Sequence, residues 1–125
     1  MLPHGAQKLP GCFGGHGFSG TIGHLTGTAH LPWVIAVLVI LAESLGSLAL
    51  VLGLGGRVMA AGIESVMVGA VATVHLASGF FMNWNGTTQN KGFEYHILAL
   101  ALALVVLLRG SGAFSVDRAV TARRA

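Results

Sequence analysis

Charge is what this chain has least of. Four acidic and seven basic side chains serve 125 residues, so charged residues make up 9% of the chain, against about 25% in a soluble globular domain. A single cysteine, Cys12, is present. That excludes an internal disulfide, a CxxC redox pair and a thiolate metal cluster, and cysteine usage does not report the compartment. No basic tract interleaved with aromatic residues occurs, so a nucleic-acid partner is not expected. The sequence holds no phosphate-binding glycine loop, HExxH motif or nucleophile–base pair, which weakens a hydrolase or autonomous thiol-oxidoreductase reading. The amino-terminal stretch lacks an apolar core of signal-peptide length.

What is abundant is apolar. Hydrophobic residues make up 54% of the chain and the mean hydropathy is +0.77, which places it in a lipid bilayer as one domain, residues 1–125. The residues of Pro32–Leu54 hold one ionisable side chain, Glu43. As a helix they would cover roughly 34 Å, enough for a hydrocarbon core of about 30 Å. A second run, Val58–Phe81, is interrupted by Glu64 and His75. A third, Phe93–Leu108, is bounded by Arg109 and has a shorter apolar part. Its alternating Leu and Ala residues read as helix, since both favour helices and a lone strand cannot satisfy its backbone in lipid. Three spans are expected, near 32–54, 58–81 and 93–109.

Between the spans the composition changes. Met1–Leu31 holds eight of the 19 glycines and four of the six histidines. Residues 10–31 read as a Gly/His-rich outer loop, with a short interfacial helix running to about Ala29 and capped by Ser19 or Thr21. Residues 82–92 form a polar loop with a turn at Asn85-Gly86. The tail, 110–125, is basic and contains a short helix capped by Ser115 and ending in Arg123 and Arg124. Small residues at Ala42, Gly46, Ala49 and Gly53, and every fourth position from Ala61 to Ala77, mark seams along which helices could pack closely. With three spans, Arg57, Arg109, Arg118, Arg123 and Arg124 share one side, and Lys8 and Lys91 the other. The positive-inside rule then puts the carboxyl terminus in the cytoplasm.

Glu43 is the sharpest functional candidate. A carboxyl group near the middle of a span is costly unless it faces protein or water, so it serves proton transfer or stands as a structural group bonded to Ser47. Glu64 is a second proton-handling candidate, or an interfacial partner of Arg57. His75, eleven residues on and a third proton-handling candidate, shares its face about 16 Å further along the helix. Glu94 and His96 point about 200° apart, so at most one faces a bundle. His4, His75 and Glu94 are expected to meet near the outer boundary, as a quinone-headgroup site, a metal site or a hydrogen-bonded network. No metal-ligand set is assigned. His16, His24 and His30 read as solvated.

The order and spacing of His4-Gly5-Ala6-Gln7-Lys8, Gly14-Gly15, Gly20-Thr21, Ala42-Glu43, Gly53 with Arg57, His75, Gly79-Phe80-Phe81, Gly92-Phe93-Glu94-Tyr95, and Ser115 with Asp117 resemble the DoxX family of small bacterial membrane proteins. The resemblance covers nearly the whole chain. It implies an all-α, four-helix transmembrane bundle in the inner membrane, linked to membrane redox chemistry with quinones and sulfur or thiol oxidants. It also implies homo- or hetero-oligomers with redox proteins, and a possible non-autonomous oxidoreductase subunit. The sequence departs from the family pattern at two points. Only Met1–Pro3 precede the His-Gly-x-Gln-Lys stretch where about twenty apolar residues are usual, so helix 1 is expected to be largely missing, supplied by an upstream start or by a partner. Ser47 also stands where a second glycine is common. A small proton-coupled transporter and a non-catalytic membrane scaffold are the alternative functions.

Overall fold

The computed structural model describes residues 1–86 and 91–122. The loop positions 87–90, and Arg123 and Arg124 of the expected tail helix, lie outside the described residues. Six helices and no strands are present among the described residues: α1 Leu2–Lys8, α2 Gly17–Gly27, α3 Trp33–Leu52, α4 Gly56–Ser78, α5 Glu94–Arg109 and α6 Val116–Ala122. The α2 helix falls where an interfacial helix was expected. Neither Ser19 nor Thr21 caps it, because the cap position is His16, without a side-chain bond.

α3 and α4, of 20 and 23 residues, are long and apolar enough to cross a membrane. α5 is helical where the third span was expected, but its 16 residues rise only about 24 Å, short of the roughly 20 residues that a spanning helix needs. α3 starts on Pro32, whose extended backbone supplies the cap position. It ends at Gly53, whose φ of +66° is the left-handed conformation that glycine adopts without strain. There the Gly53 amide donates to the Leu50 carbonyl (3.1 Å) and the Leu54 amide to that of Ala49 (2.8 Å). This is the paired-bond Schellman ending, which satisfies two carbonyls the helix leaves open.

Neither long helix is regular. Each contains one π-helical turn: Ala42–Gly46 in α3 and Val71–His75 in α4. Such turns insert one extra residue into the α register.

α4 packs chiefly on α5. Their contact buries Ala60, Ile63, Met67 and Ala103, flanked by Leu50, Ala99 and Val106. The packing seam of α4 differs from the one expected. Ser65, Gly69, Thr73 and Ala77 are exposed, and a methyl group at Gly69 would meet nothing within 4 Å. Ser65 and Thr73 donate instead to the carbonyls of Ala61 (2.9 Å) and Gly69 (2.8 Å) one turn back, which leaves their hydroxyls satisfied in an apolar setting. On α3 the small residues do pack: Gly46 and Gly53 are buried.

The tail folds back onto the turn between α3 and α4. Ser115 caps α6, its hydroxyl accepting from the Arg118 amide at 3.2 Å, and the Asp117 amide donates to the Gly53 carbonyl at 3.1 Å. The Asp117 carboxylate accepts from the Ser111 hydroxyl (2.6 Å) and from the amides of Gly55 (2.8 Å) and Gly56 (3.2 Å). It thereby takes up two donors at the start of α4. A side chain at Gly53 would overlap Ser115, and one at Gly56 would overlap Ser111.

Those bonds, that of Ser111 foremost, hold the Asp117 carboxyl below the usual carboxylate range. A lowered folded-state pKa stabilises the fold above the unfolded value of about 4, and the contribution is lost as pH falls through the folded value. Asp117→Ala should therefore lower the melting midpoint in detergent by a few degrees at pH 7 and flatten its decline in acid. Superimposable melting profiles from pH 3 to 7 would show that this clamp carries no stability.

Candidate functional site

The π turn of α3 is where the amino-terminal segment meets the long helices. Gly5 of α1 lies so close to it that an added methyl group would overlap the backbone of Glu43 and Ser44. The Ser44 hydroxyl lies 2.5 Å from the Ile40 carbonyl and 3.3 Å from that of Gly5, and can donate to either. The Ser47 hydroxyl is likewise placed to donate to the Glu43 carbonyl at 2.5 Å or that of Ser44 at 3.1 Å. Ser47 was expected to bond Glu43, and it does so through the backbone. The carboxylate goes elsewhere.

Glu43 is buried, its side chain 6% exposed, and Oε1 lies 2.5 Å from Nζ of Lys8. Lys8 closes the last turn of α1, so the close approach at Gly5 brings its ammonium within reach. A carboxylate taken out of water is tolerated only when paired and hydrogen-bonded. From the sequence, Lys8 is only one of the two lysines on the outer side. One signal pointed to it: it is the only lysine or arginine before Arg57.

Beside this pair runs a chain of rings. His4 and Tyr95 stand edge to face with centroids 5.9 Å apart, Tyr95 and His96 at 5.8 Å, and His96 and His75 at 4.2 Å. Glu43 interacts electrostatically with both Tyr95 and His96, as do His4 and His75 with His96. The carboxylate and the rings therefore form one site. His75, at the end of the α4 π turn, bonds through Nδ1 to the Lys91 carbonyl at 2.8 Å. A carbonyl can only accept, so Nδ1 carries the hydrogen and Nε2 of the neutral ring keeps its lone pair. His96 is 7% exposed, and its Nδ1 is buried with no partner among the described residues. An orphaned ring nitrogen is costly to bury. Tyr95 also walls an apolar cavity of about 220 Å³ with Leu50, Ile63, Ala99, Leu102 and Val106.

Of the expected residues, Glu43, His4 and His75 fall in this site. Glu94 does not join the rings. Its Oε2 accepts from the Met82 amide and the Trp84 indole, each at 3.2 Å, and it ties the turn after α4 to the start of α5. Since Glu94 and His96 point apart on α5, His96 takes the place foreseen for Glu94. Tyr95 had not been singled out. Glu64 is half-buried on α4 and makes no hydrogen bond or ion pair among the described residues. His16, His24 and His30 are exposed. No three His, Cys, Asp or Glu side chains gather as a metal-binding group among the described residues.

A model of the DoxX family matches residues 1–76, which include α1, Glu43 and His75. No curated protein and no solved structure matches the chain.

Removing one partner of a buried ion pair costs about 3–5 kcal/mol, whereas replacing both can be nearly neutral. Lys8→Met should thus destabilise the protein in denaturant by an amount in that range, and Glu43→Gln by less, because the Lys8 side chain it leaves behind is 28% exposed and keeps part of its hydration. The double variant should recover most of the loss of Lys8→Met. Strictly additive effects would mean that the two side chains do not interact.

Proposed function

From the premise that the chain belongs to the DoxX family, we propose that it is a membrane subunit that passes protons during quinone-linked redox chemistry. The observation that carries this is a buried Glu43 carboxylate, paired with Lys8, within electrostatic reach of His96, whose Nδ1 is buried without a partner among the described residues. Quinone reduction and oxidation move protons together with electrons, so such a site needs titratable groups held away from bulk water. In this reading His96 and Tyr95 meet the headgroup oxygens, with His4 at the rim, and the apolar cavity beside Tyr95 takes ring or chain carbons. Glu43, relieved by Lys8, receives or supplies the proton, and His75 relays it through Nε2. Glu64 serves as a waypoint toward the Arg57 end. Glu94 positions the loop before α5 and touches no ligand.

The same reading places the protein in the bacterial inner membrane, multi-pass, with the carboxyl terminus cytoplasmic. α1 then occupies the position of a first helix in a four-helix bundle. The exposed small-residue seam of α4 is where another copy or a redox partner would pack, since such seams admit close helix approach in lipid. A proton-coupled transporter is the second reading. It is favoured by the ionisable groups spaced along α3 and α4, which a transported solute could use equally well.

Protein extracted with its partners should carry bound quinone. Glu43→Gln, His96→Ala and His75→Ala should each reduce both the bound quinone and resistance to oxidants in a complementation assay, at unchanged protein levels. Glu94→Gln should act more weakly and His24→Ala not at all. A fully active Glu43→Gln would leave a scaffolding role. Uptake of a solute driven by a proton gradient and abolished by that substitution would establish the transporter.

A further inference from the structure

At the opposite end of α4 and α5 from the rings, a cleft of about 560 Å³ opens between the turn after α3, the end of α5 and α6. Arg57, Arg109 and Arg118 line it, and Asp117 is the one acid among its lining residues. Three guanidinium groups thus face one carboxylate. That carboxylate is already engaged by Ser111, Gly55 and Gly56. Arg57 gives one N–H to the Leu108 carbonyl at 3.3 Å. Arg109 and Arg118 make no side-chain hydrogen bond or ion pair among the described residues. Each guanidinium offers five N–H donors in a planar fork, so most of the donor capacity around the cleft is unspent. Gly110 and Gly112 also line it, and a methyl group at Gly112 would meet nothing within 4 Å.

The level of the cleft identifies its anion. It lies where α3 ends, α4 begins and α5 ends, the height at which spanning helices reach the headgroups. On the spanning side Val58 and Leu108 are exposed, and on the tail Phe114 is fully exposed and Val116 and Val120 are partly exposed. An exposed aromatic ring and valines beside arginines match a segment lying in the membrane interface. We infer that the cleft holds the phosphate of an anionic phospholipid headgroup, with Arg57, Arg109 and Arg118 as its donors and the acyl chains passing along Val58 and Leu108. Free phosphate shares the charge but not the chains. The site is independent of the redox reading and uses none of its residues.

Native mass spectrometry of the full chain, loaded with phosphatidylglycerol or phosphatidylcholine in equal amounts, tests this. The anionic lipid should be retained preferentially. Arg109→Gln and Arg118→Gln should each weaken that retention about fivefold, with helicity unchanged by circular dichroism because neither side chain holds a structural bond. Equal retention of the two lipids, or unchanged retention in both variants, overturns the inference. A third arm adds millimolar inorganic phosphate. If it displaces the lipid and, without lipid, raises the melting midpoint of the unsubstituted chain but not of Arg118→Gln, the anion is soluble phosphate and the lipid assignment falls. Failure of phosphate to compete supports the lipid.

Discussion

A carboxylate removed from water must be matched, and much of the amino-terminal half follows from how Glu43 is matched. Its partner, Lys8, is 35 positions away. Bringing the two together needs a short helix ending at Lys8 and a glycine at position 5, so that the helix can lie against the π turn of α3. At the same turn the hydroxyls of Ser44 and Ser47 are placed to donate to the carbonyls of Ile40 and Glu43. The ion pair is then less a source of net stability than a condition on the fold. Burying both charges is costly, and only the arrangement that unites them avoids a larger penalty.

The chain uses its few charges at two levels, for different ends. Near the rings, Glu43 and His96 are buried while Lys8 and His75 are half-buried and His4 lies at the exposed rim, and burial is where proton affinity is most sensitive to surroundings. At the other end, three arginines and one aspartate sit around an open cleft, and the aspartate is spent on helix capping and tail docking. Since arginine does not lose its charge, that end acts as a fixed positive field, while the first end can change its protonation.

The helical class, the two long apolar helices and the facing of Glu43 toward protein were legible in the sequence, because hydropathy and helix length are local properties and a mid-span carboxyl must face protein or water. So was the Ser115 cap of the tail helix. Lys8 was not, since a pairing across α1 and α3 is tertiary and the sequence marks the lysine only as a charge outside the spans. The choice between Glu94 and His96 was reduced to one of two by helical geometry. Deciding it needed the neighbours, which present the His75 ring to one side of α5 and the Trp84 indole to the other. The α4 seam misled for a related reason. Four-residue spacing of small side chains marks a surface that can be approached closely and says nothing about which neighbour approaches it. The third apolar run was placed correctly, expected near 93–109 and helical over Glu94–Arg109, and its 16 residues are shorter than a typical span.

The two π turns have a consequence for any helical-wheel view of this chain. One surplus residue advances the angular phase of everything downstream by about 100°. A stripe drawn from Trp33 through α3 therefore does not continue beyond Gly46, and one drawn along α4 breaks at Val71. Each long helix behaves as two shorter segments joined out of phase, with Glu43 inside one joint and His75 at the end of the other. Deleting a single residue from either joint would rotate the distal segment as a rigid body and change which side chains face the neighbouring helices, while leaving composition and hydropathy almost untouched. Length at these two places is thus information that the residue types themselves do not carry.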